Sequence, residues 1–517
     1  MKTLFKKSLL VLMIAFIALF TLGISSKVKA AELVESVDFT TKAVKNSNYK
    51  NKWTYDGWTV SGGANNNAGW AYVKMGGSSS NLSSYNTIYI ASPKVASQCS
   101  KVEVNIIAGS VAKSGMLHMI YTEKIPEDQV DFFAKVAFSD RLLSTAVDDN
   151  FIGRKTGKPT IQDEVILNGP HIHVGTAFYK MPRTSVENNS SYDVIDYTKI
   201  SEDFIPSTCF VSKLSHSEFK DKFKGFYIAD DEKGIKRFDC WLDYFKLAIS
   251  EWVGPDAERT LSGGLIPPNV HHIGTIVSVT FKDLFRLVEL AGLICSVPLD
   301  FYMKTTGAKH VKQYRIEAFP IGVNKKYLPA LLSRTLRLNC LTRAYTKLLE
   351  AVWMDEYQDD TWSVSDDRLI SFGTFNKIWD YNTPFRNAFT RRQALVEIDV
   401  ITAMALGLSL QDLESMYTIQ FSVMQQYEED TWYDKKGNIV YTKNVQGLKG
   451  VGLDRKQWEL IRNQKDGETY VHTIDPAKSE LYGGQQVTYY APYTKCDRIE
   501  DYRRAWAHFE KIFKEDK

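Results

Sequence analysis

The residue types best suited to bind another molecule lie in residues 304–315, where cations, hydroxyl groups and a glycine follow one another within a short span. Lysine and threonine side chains contact phosphate oxygens, and Gly307 lets a ligand approach the backbone closely. Arginine and lysine also suit guanine edges, whereas glutamine suits adenine. The candidate contact residues are Lys304, Thr305, Thr306, Lys309, His310, Lys312, Gln313 and Arg315. The competing interpretation is a surface loop between two core elements.

The charge of the chain is uneven along its length. Residues 301–350 carry ten basic and two acidic side chains, although the whole chain of 517 residues has a formal charge of only +3. A local excess of this kind predicts a polyanionic partner, and the alternative is a solvated helix face. The apolar content of 44% is ordinary for a globular protein, and the length indicates about three domains.

Three elements are expected to position the candidate residues. Apolar residues at helical spacing over 281–294 predict an amphipathic helix, which Pro298 is expected to stop. A strand is predicted over residues 316–321, ending at a proline. A second helix is predicted from Leu328 to about residue 353, with Pro329 in its first turn.

The last third of the chain predicts further helices and one hairpin. A helix over residues 391–406 is expected to end at Gly407, and Ser409 then opens the next helix with a capping box. Residues 432–441 predict a hairpin that turns at residues 436–438. A charged helix is predicted over residues 498–514, with four aromatic residues on one side.

The order of helix, basic glycine-containing loop and strand over residues 281–321 resembles the target-recognition domains of large adenine-specific DNA methyltransferases from restriction–modification and phage-defence systems. The helix that begins near Arg392 and ends in residues 407–409 is similar to a second segment of those enzymes. The resemblance covers about residues 120–515. It implies that the candidate residues bind double-stranded DNA selectively by sequence, and that this region performs no chemistry.

The catalytic signature of such methyltransferases is not found in this sequence. Those enzymes need an Asn or Asp, two prolines and an aromatic residue in succession to grip and stack on the flipped base. The one Pro-Pro pair, Pro267 and Pro268, lacks both flanking residues, and no glycine-rich loop follows a strand. We therefore expect S-adenosylmethionine only in a missing catalytic domain or a separate methyltransferase subunit. We predict no catalytic, metal-binding or cofactor-binding residues in this chain.

Other chemistries have weaker support in the sequence. Glu218, with Lys220 two residues later and Asp196 or Asp203 upstream, matches a nuclease pattern that arises by chance in a charged chain. His171 and His173 could bind a metal, although two rings on one exposed strand face are the commoner arrangement. No serine-hydrolase elbow is present in the sequence.

The first part of the chain has a different character. Residues 1–30 resemble an export signal, with three lysines before an apolar run at residues 9–22. Residues 31–115 are rich in glycine, serine and asparagine, with short alternating runs typical of strands. They loosely resemble lectin-like β-sandwich modules of secreted bacterial proteins. The second hypothesis is therefore a secreted protein that binds carbohydrate or a surface through residues such as Trp58 and Trp70.

These observations predict a mixed α+β protein in four parts. The parts are a signal peptide at 1–30, a β module at 31–115, an α/β target-recognition domain at 116–350 and a mainly helical domain at 351–517. A natural or artefactual junction is expected near Met116. The signal predicts secretion, whereas residues 116–517 look cytoplasmic, and buried unpaired cysteines are expected at Cys295 and Cys340.

Overall fold

A computed structural model describes residues 152–515, with gaps at 189–190, 216, 219–223, 231–235, 255–256, 282, 308, 317 and 444–451, and the backbone of six short strands before them. The described residues fall into two compact units. The predicted signal and the junction near Met116 lie outside the described residues. Within the part that is described, no helix is both long and apolar enough to cross a membrane.

The first unit contains five short strands. They are β1 (Lys52–Tyr55), β2 (Trp58–Gly62), β3 (Ala68–Gly69), β4 (Tyr72–Val73) and β5 (Ile88–Ala91). An antiparallel sheet has the order β1-β2-β5, and β3 pairs with β4. The backbone of this unit is therefore antiparallel β structure wherever it is described.

The second unit begins with a β-rich region. Its strands are β6 (Lys135–Ala137), β7 (Ile152–Gly157), β8 (Ile166–Leu167), β9 (Lys180–Pro182), β10 (Tyr192–Val194), β11 (Thr208–Ser212), β12 (Lys224–Asp230), β13 (Lys236–Cys240), β14 (Lys246–Ser250), β15 (Gly263–Ile266), β16 (His271–His272) and β17 (Ile276–Thr280). The largest sheet has the antiparallel order β15-β14-β17-β6. Leu247, Ala248 and Ile249 of its inner strand β14 are fully buried, as expected for a strand covered on both faces.

The rest of the second unit is mainly helical. Its helices are α1 (Leu284–Ile294), α2 (Val297–Thr305), α3 (Gln313–Ile316), α4 (Leu328–Asn339), α5 (Thr346–Ala351), α6 (Ala388–Ala405), α7 (Leu410–Gln420), α8 (Ser422–Glu429), α9 (Arg455–Ile461) and α10 (Arg498–Glu515). Two hairpins lie among them, β18 (Trp432–Tyr433) with β19 (Ile439–Tyr441) and β20 (Thr469–Thr473) with β21 (Gln486–Tyr490).

Helix α1 joins the β-rich region to the helical region. It packs against β14, β15 and β17 and also against α4, which in turn packs against α6, and α6 packs against α10. The crossing of α1 and α4 is close because a Cβ on Gly292 would lie 2.4 Å from the hydroxyl oxygen of Thr335. The helices on either side of residue 350 thus belong to the same compact unit.

The mixed α+β class is confirmed, and so are several local predictions. Helix α4 has Pro329 in its first turn as predicted, but it ends at Asn339 and not near residue 353. Gly407 follows α6 with a φ of 74°, and Ser409 caps α7 in a capping box. The hairpin predicted at residues 432–441 and the final charged helix are both present. Each of these signals is local, which explains why sequence alone found them.

Two predictions near the candidate residues are wrong. Pro298 does not end the first helix; it lies in the first turn of α2, whose N-cap Ser296 accepts a hydrogen bond from the Leu299 amide. The strand predicted over residues 316–321 is absent, because the chain forms the short helix α3 and then a turn at Phe319. The candidate segment is therefore bounded by helices on both sides.

Candidate nucleic-acid interface

Residues 309–312 pair through the main chain with residues 251–253, which continue strand β14. The Val253 amide donates to the Lys309 carbonyl at 3.0 Å, and the Val311 amide donates to the Glu251 carbonyl at 2.8 Å. The residues between these bonds are exposed or half-exposed, whereas Glu251, Val253 and Val311 are buried. We call residues 251–253 and 309–312 together the paired edge.

A single buried carboxylate on the paired edge accepts hydrogen bonds from an imidazole and an ammonium group. Glu251 accepts hydrogen bonds from His310 Nδ1 at 3.0 Å and from Lys312 Nζ at 2.7 Å. The His310 and Lys312 side chains remain 36% and 42% exposed, and Lys309 beside them is exposed. The structure thus places three of the predicted contact residues on one segment, where Glu251 fixes His310 and Lys312 and Lys309 lies exposed beside them.

Trp252 is the residue of the paired edge that sequence reasoning missed. Its side chain is 66% exposed, and its ring centre lies 4.7 Å from that of His310 with 63° between the planes. So large an exposed aromatic surface is uncommon, because burial of an indole is strongly favourable. The only signal in the sequence was a tryptophan at the end of a strand, and its neighbours at 309–310 lie far along the chain.

Lys304 does not belong to the exposed surface, and its predicted contact with phosphate is corrected. Only 7% of the residue is exposed. Its ammonium group donates to the Ala257 carbonyl at 2.8 Å and lies 5.1 Å from the ring centre of Phe421. The physical reason is that α2 extends through residue 305, which turns this lysine into the interior. Lys304 instead anchors the loop that follows Trp252.

A second residue of α2 holds the same loop. Asp300 accepts hydrogen bonds from Arg259 Nε at 2.5 Å and from the amides of Thr260 and Leu261 at 3.0 Å. The Arg259 and Asp300 side chains are 5% and 0% exposed. Because Asp300 and Lys304 are four residues apart on one helix, they face the same side. Helix α2 therefore holds residues 257–261, and residues 309–312 hold residues 251–253.

The other predicted contact residues are less well placed. The hydroxyls of Thr305 and Thr306 donate to the carbonyls of Tyr302 and Met303 at 2.9 and 2.8 Å, which closes the end of α2. Gly307 has a φ of 62° and open space around its Cα, so the conformation explains the glycine. Gln313 and Arg315 lie in α3, and the Gln313 side chain is outside the described part of the chain.

The regional excess of positive charge is only partly on the surface. Arg334 and Arg337 are fully buried. Arg334 pairs with Asp360 and Glu397, and Arg337 donates to three backbone carbonyls between residues 371 and 383. Arg343 is exposed but pairs with Glu202. The count of ten basic side chains therefore overstates the charge available to a ligand.

The histidine pair does not lie on an exposed strand face, so that expectation is wrong. His171 closes a 3-10 turn in the interior, with Nε2 3.0 Å from the Ser207 carbonyl oxygen, and burial lowers its pKa. His173 packs edge-on against Tyr179 with 4.2 Å between ring centres, and desolvation lowers its pKa to about 3. Among the described residues, no three acidic, histidine or cysteine side chains converge as metal ligands.

The acidic residues of the nuclease pattern are engaged separately. Glu218 accepts from the amide and hydroxyl of Ser215, and Asp196 accepts from Thr198. Asp203 lies 3.5 Å from the Arg343 guanidinium. Each carboxylate therefore has its own partner, and the described residues show no shared metal position for them.

A depression in the described part of the chain is lined by residues between 360 and 372. Two of its polar side chains are bonded to buried residues. The Ser363 hydroxyl donates to Glu397 at 2.6 Å, and Asp360 accepts from Arg334 at 2.6 Å. We therefore regard the paired edge as the better candidate for ligand binding.

Comparisons with protein-family models, with curated proteins and with solved structures find no match for this chain. Function is therefore inferred from the chemistry of the paired edge. That surface combines an exposed aromatic ring, two exposed or half-exposed lysines and an imidazole on a hydrogen-bonded backbone.

Proposed function

We propose that this chain is the DNA-recognition portion of a restriction–modification type adenine methyltransferase, and that it binds double-stranded DNA through the paired edge. Methyl transfer and S-adenosylmethionine binding would belong to a separate subunit or a further domain. The observation that carries the proposal is the presence of Lys309, His310 and Lys312 on one segment, whose backbone pairs with residues 251–253 and where His310 and Lys312 share the Glu251 carboxylate.

The chemistry of these side chains supports a nucleic-acid partner. Exposed lysines neutralise phosphates and release condensed counterions, which supplies much of the free energy of DNA binding. Glu251 lowers the net charge by one, but it also fixes the directions of His310 and Lys312. Fixed donors suit the reading of base edges better than mobile ones, because less side-chain entropy is lost on binding.

The second hypothesis, a secreted protein that binds carbohydrate, has no support from the described side chains. Trp58 lies in β2, but its side chain and all of Trp70 are outside the described residues. Export through residues 1–30 likewise stays a prediction. The paired edge is the feature that can be tested directly.

The test is a binding titration over a series of salt concentrations. Wild-type protein and the double variant Lys309→Ala/Lys312→Ala are titrated against a fluorescent random-sequence duplex of roughly thirty base pairs. We expect the variant to bind more weakly, with the slope of log K against log salt reduced by about 2, since each lost phosphate contact removes about 0.9. Anisotropy gives both quantities.

The matched control is Lys456→Ala/Lys511→Ala, which removes two exposed lysines from α9 and α10. This control is expected to keep most of the wild-type affinity and salt slope. Lys304 is left unchanged because alanine there would release the loop at Ala257. An unchanged affinity and slope in the paired-edge variant would refute the proposed function.

A further inference from the structure

Main-chain hydrogen bonds hold the backbone on both sides of Trp252. The Glu251 amide donates to the Thr275 carbonyl at 2.9 Å, and the Val253 amide donates to the Lys309 carbonyl at 3.0 Å. Glu251 and Val253 are only 5% and 6% exposed. The entropy of ordering this backbone is therefore already lost on folding, so a ligand that contacts the ring does not lose it again.

The indole ring itself is also restricted. His310 contacts it edge-on, and Glu251 holds His310 by a hydrogen bond at 3.0 Å. Two-thirds of the Trp252 side chain nevertheless remains exposed, at 66%. The ring thus projects from a fixed base with apolar surface open to a partner.

The neighbours of Trp252 favour a nucleic acid over a protein as that partner. Other strongly exposed apolar residues in the described part of the chain include Leu460 and Ile378, at 80% and 73%, which have no aromatic face. Trp252 instead pairs with His310, on a segment that also carries Lys309 and Lys312. An aromatic ring on a segment pair that carries lysines matches the combination of base stacking and phosphate contact that proteins use on nucleic acids.

We propose that Trp252 is a stacking wedge that enters the base stack of bound duplex DNA while Lys309 and Lys312 contact the flanking phosphates. The inference rests on the proposed function and adds a mode of binding to it. Apolar wedges of this kind partly unstack a base step and bend the duplex. The ring would then read how easily a step opens, which is a form of sequence selectivity without base-edge hydrogen bonds.

A duplex with its stack already opened tests the wedge without knowledge of the preferred sequence. Two duplexes of identical sequence are compared, one intact and one with a central abasic site. Wild-type protein is expected to bind the abasic duplex roughly tenfold more tightly, because unstacking no longer opposes binding. Trp252→Ala is expected to lose this preference, and Trp252→Phe to keep part of it.

The variants separate failure of the wedge from failure of DNA binding. Lys309→Ala/Lys312→Ala should weaken binding to both duplexes and keep the preference for the abasic one. Ile378→Ala, a matched exposed apolar control, should change neither quantity. Equal affinity of the wild type for both duplexes, or an undiminished preference in Trp252→Ala, overturns the wedge alone. A salt slope that the lysine variant leaves unchanged overturns the proposed function as well.

Discussion

The β-rich residues 152–280 and the helical residues 284–515 differ in how most of their buried titratable groups are accommodated. The first region buries several imidazoles that are kept neutral, whereas the second buries a network of guanidinium and carboxylate groups as ion pairs. Both regions belong to the same compact unit. A buried titratable group can reduce the free-energy cost of desolvation either by staying neutral or by forming an ion pair.

His272 is an example of a buried group that stays neutral. It is 3% exposed, with Nε2 2.7 Å from the Ser278 hydroxyl and Nδ1 3.1 Å from the Ile273 carbonyl oxygen. Burial lowers the pKa of its imidazole from 6.5 to about 4. His171 is buried in the same region, and burial lowers its pKa as well.

The helical region instead buries its charged groups as ion pairs. Arg334 and Glu397 are both 0% exposed and lie 2.7 Å apart, and Arg498 and Asp399 form a similar pair at 2.7 Å. Burial alone would raise the pKa of Glu428, but the guanidinium groups of Arg392 and Arg498 outweigh it and lower that pKa to about 2. Charge on Glu428 therefore persists well below neutral pH, whereas desolvation raises the pKa of Asp399 in the same network.

Buried neutral histidines and buried ion pairs differ in their response to acid. A lowered folded-state pKa means that the unfolded chain takes up protons first, so stability is lost as pH falls. For His272 the loss runs from pH 6.5 to about 4, and for Glu428 from pH 4.5 to about 2. We expect acid to weaken the β-rich region first, together with the part of the paired edge that continues β14.

The largest expected effect is in the helical region, from Glu397→Gln. This carboxylate accepts from Arg334 Nε and from the amide and hydroxyl of Ser363. Neutralising it leaves Arg334 with less compensation in the interior, which is expected to cost about 3–5 kcal/mol of unfolding free energy. Urea denaturation at neutral pH measures the change. The same substitution at the exposed Glu459 is the control, and equal effects at both sites would break the comparison.

A smaller effect, with a defined pH window, is expected from His272→Gln. The wild type should lose about 3 kcal/mol of stability between pH 6.5 and about 4 because its buried imidazole resists protonation. Glutamine does not titrate, so this part of the pH dependence should disappear from the variant. Urea midpoints at neutral pH and near pH 4 test it. A stability difference between the two proteins that stays constant with pH would show that His272 is not kept neutral by burial.

The smallest effect is expected from an exposed ion pair in the helical region, by Arg503→Ala. Arg503 on α10 lies 2.9 Å from Glu414 on α7, but its side chain is 56% exposed. Solvent screens such a pair, so its loss should change the unfolding free energy by less than about 1 kcal/mol. Thermal denaturation is sufficient to measure it. A loss of unfolding free energy as large as that of Glu397→Gln would mean that buried and exposed ion pairs contribute equally to stability.

Sequence reasoning succeeded where the signal was local and failed where a distant segment decided the outcome. The capping box at Ser409 and the glycine at 407 involve only neighbouring residues, and both helix ends are present. Pro298 was misjudged because a proline is equally compatible with the end of one helix and the first turn of the next. Cys295 and Cys340 are unpaired and buried, as their apolar surroundings predicted.

By itself, the sequence determined the mixed α+β class, the positions of α6 and α10, the start of α7 and the presence of a cationic segment at 304–315. Only the tertiary structure decided which of those cations reach solvent and which neighbour they have. Lys304 turns inward to Ala257, while Lys309 pairs with Val253 beside the exposed Trp252. The reason is physical: helical periodicity and capping act within a few residues, whereas burial and cross-chain pairing depend on segments that meet only when the chain folds.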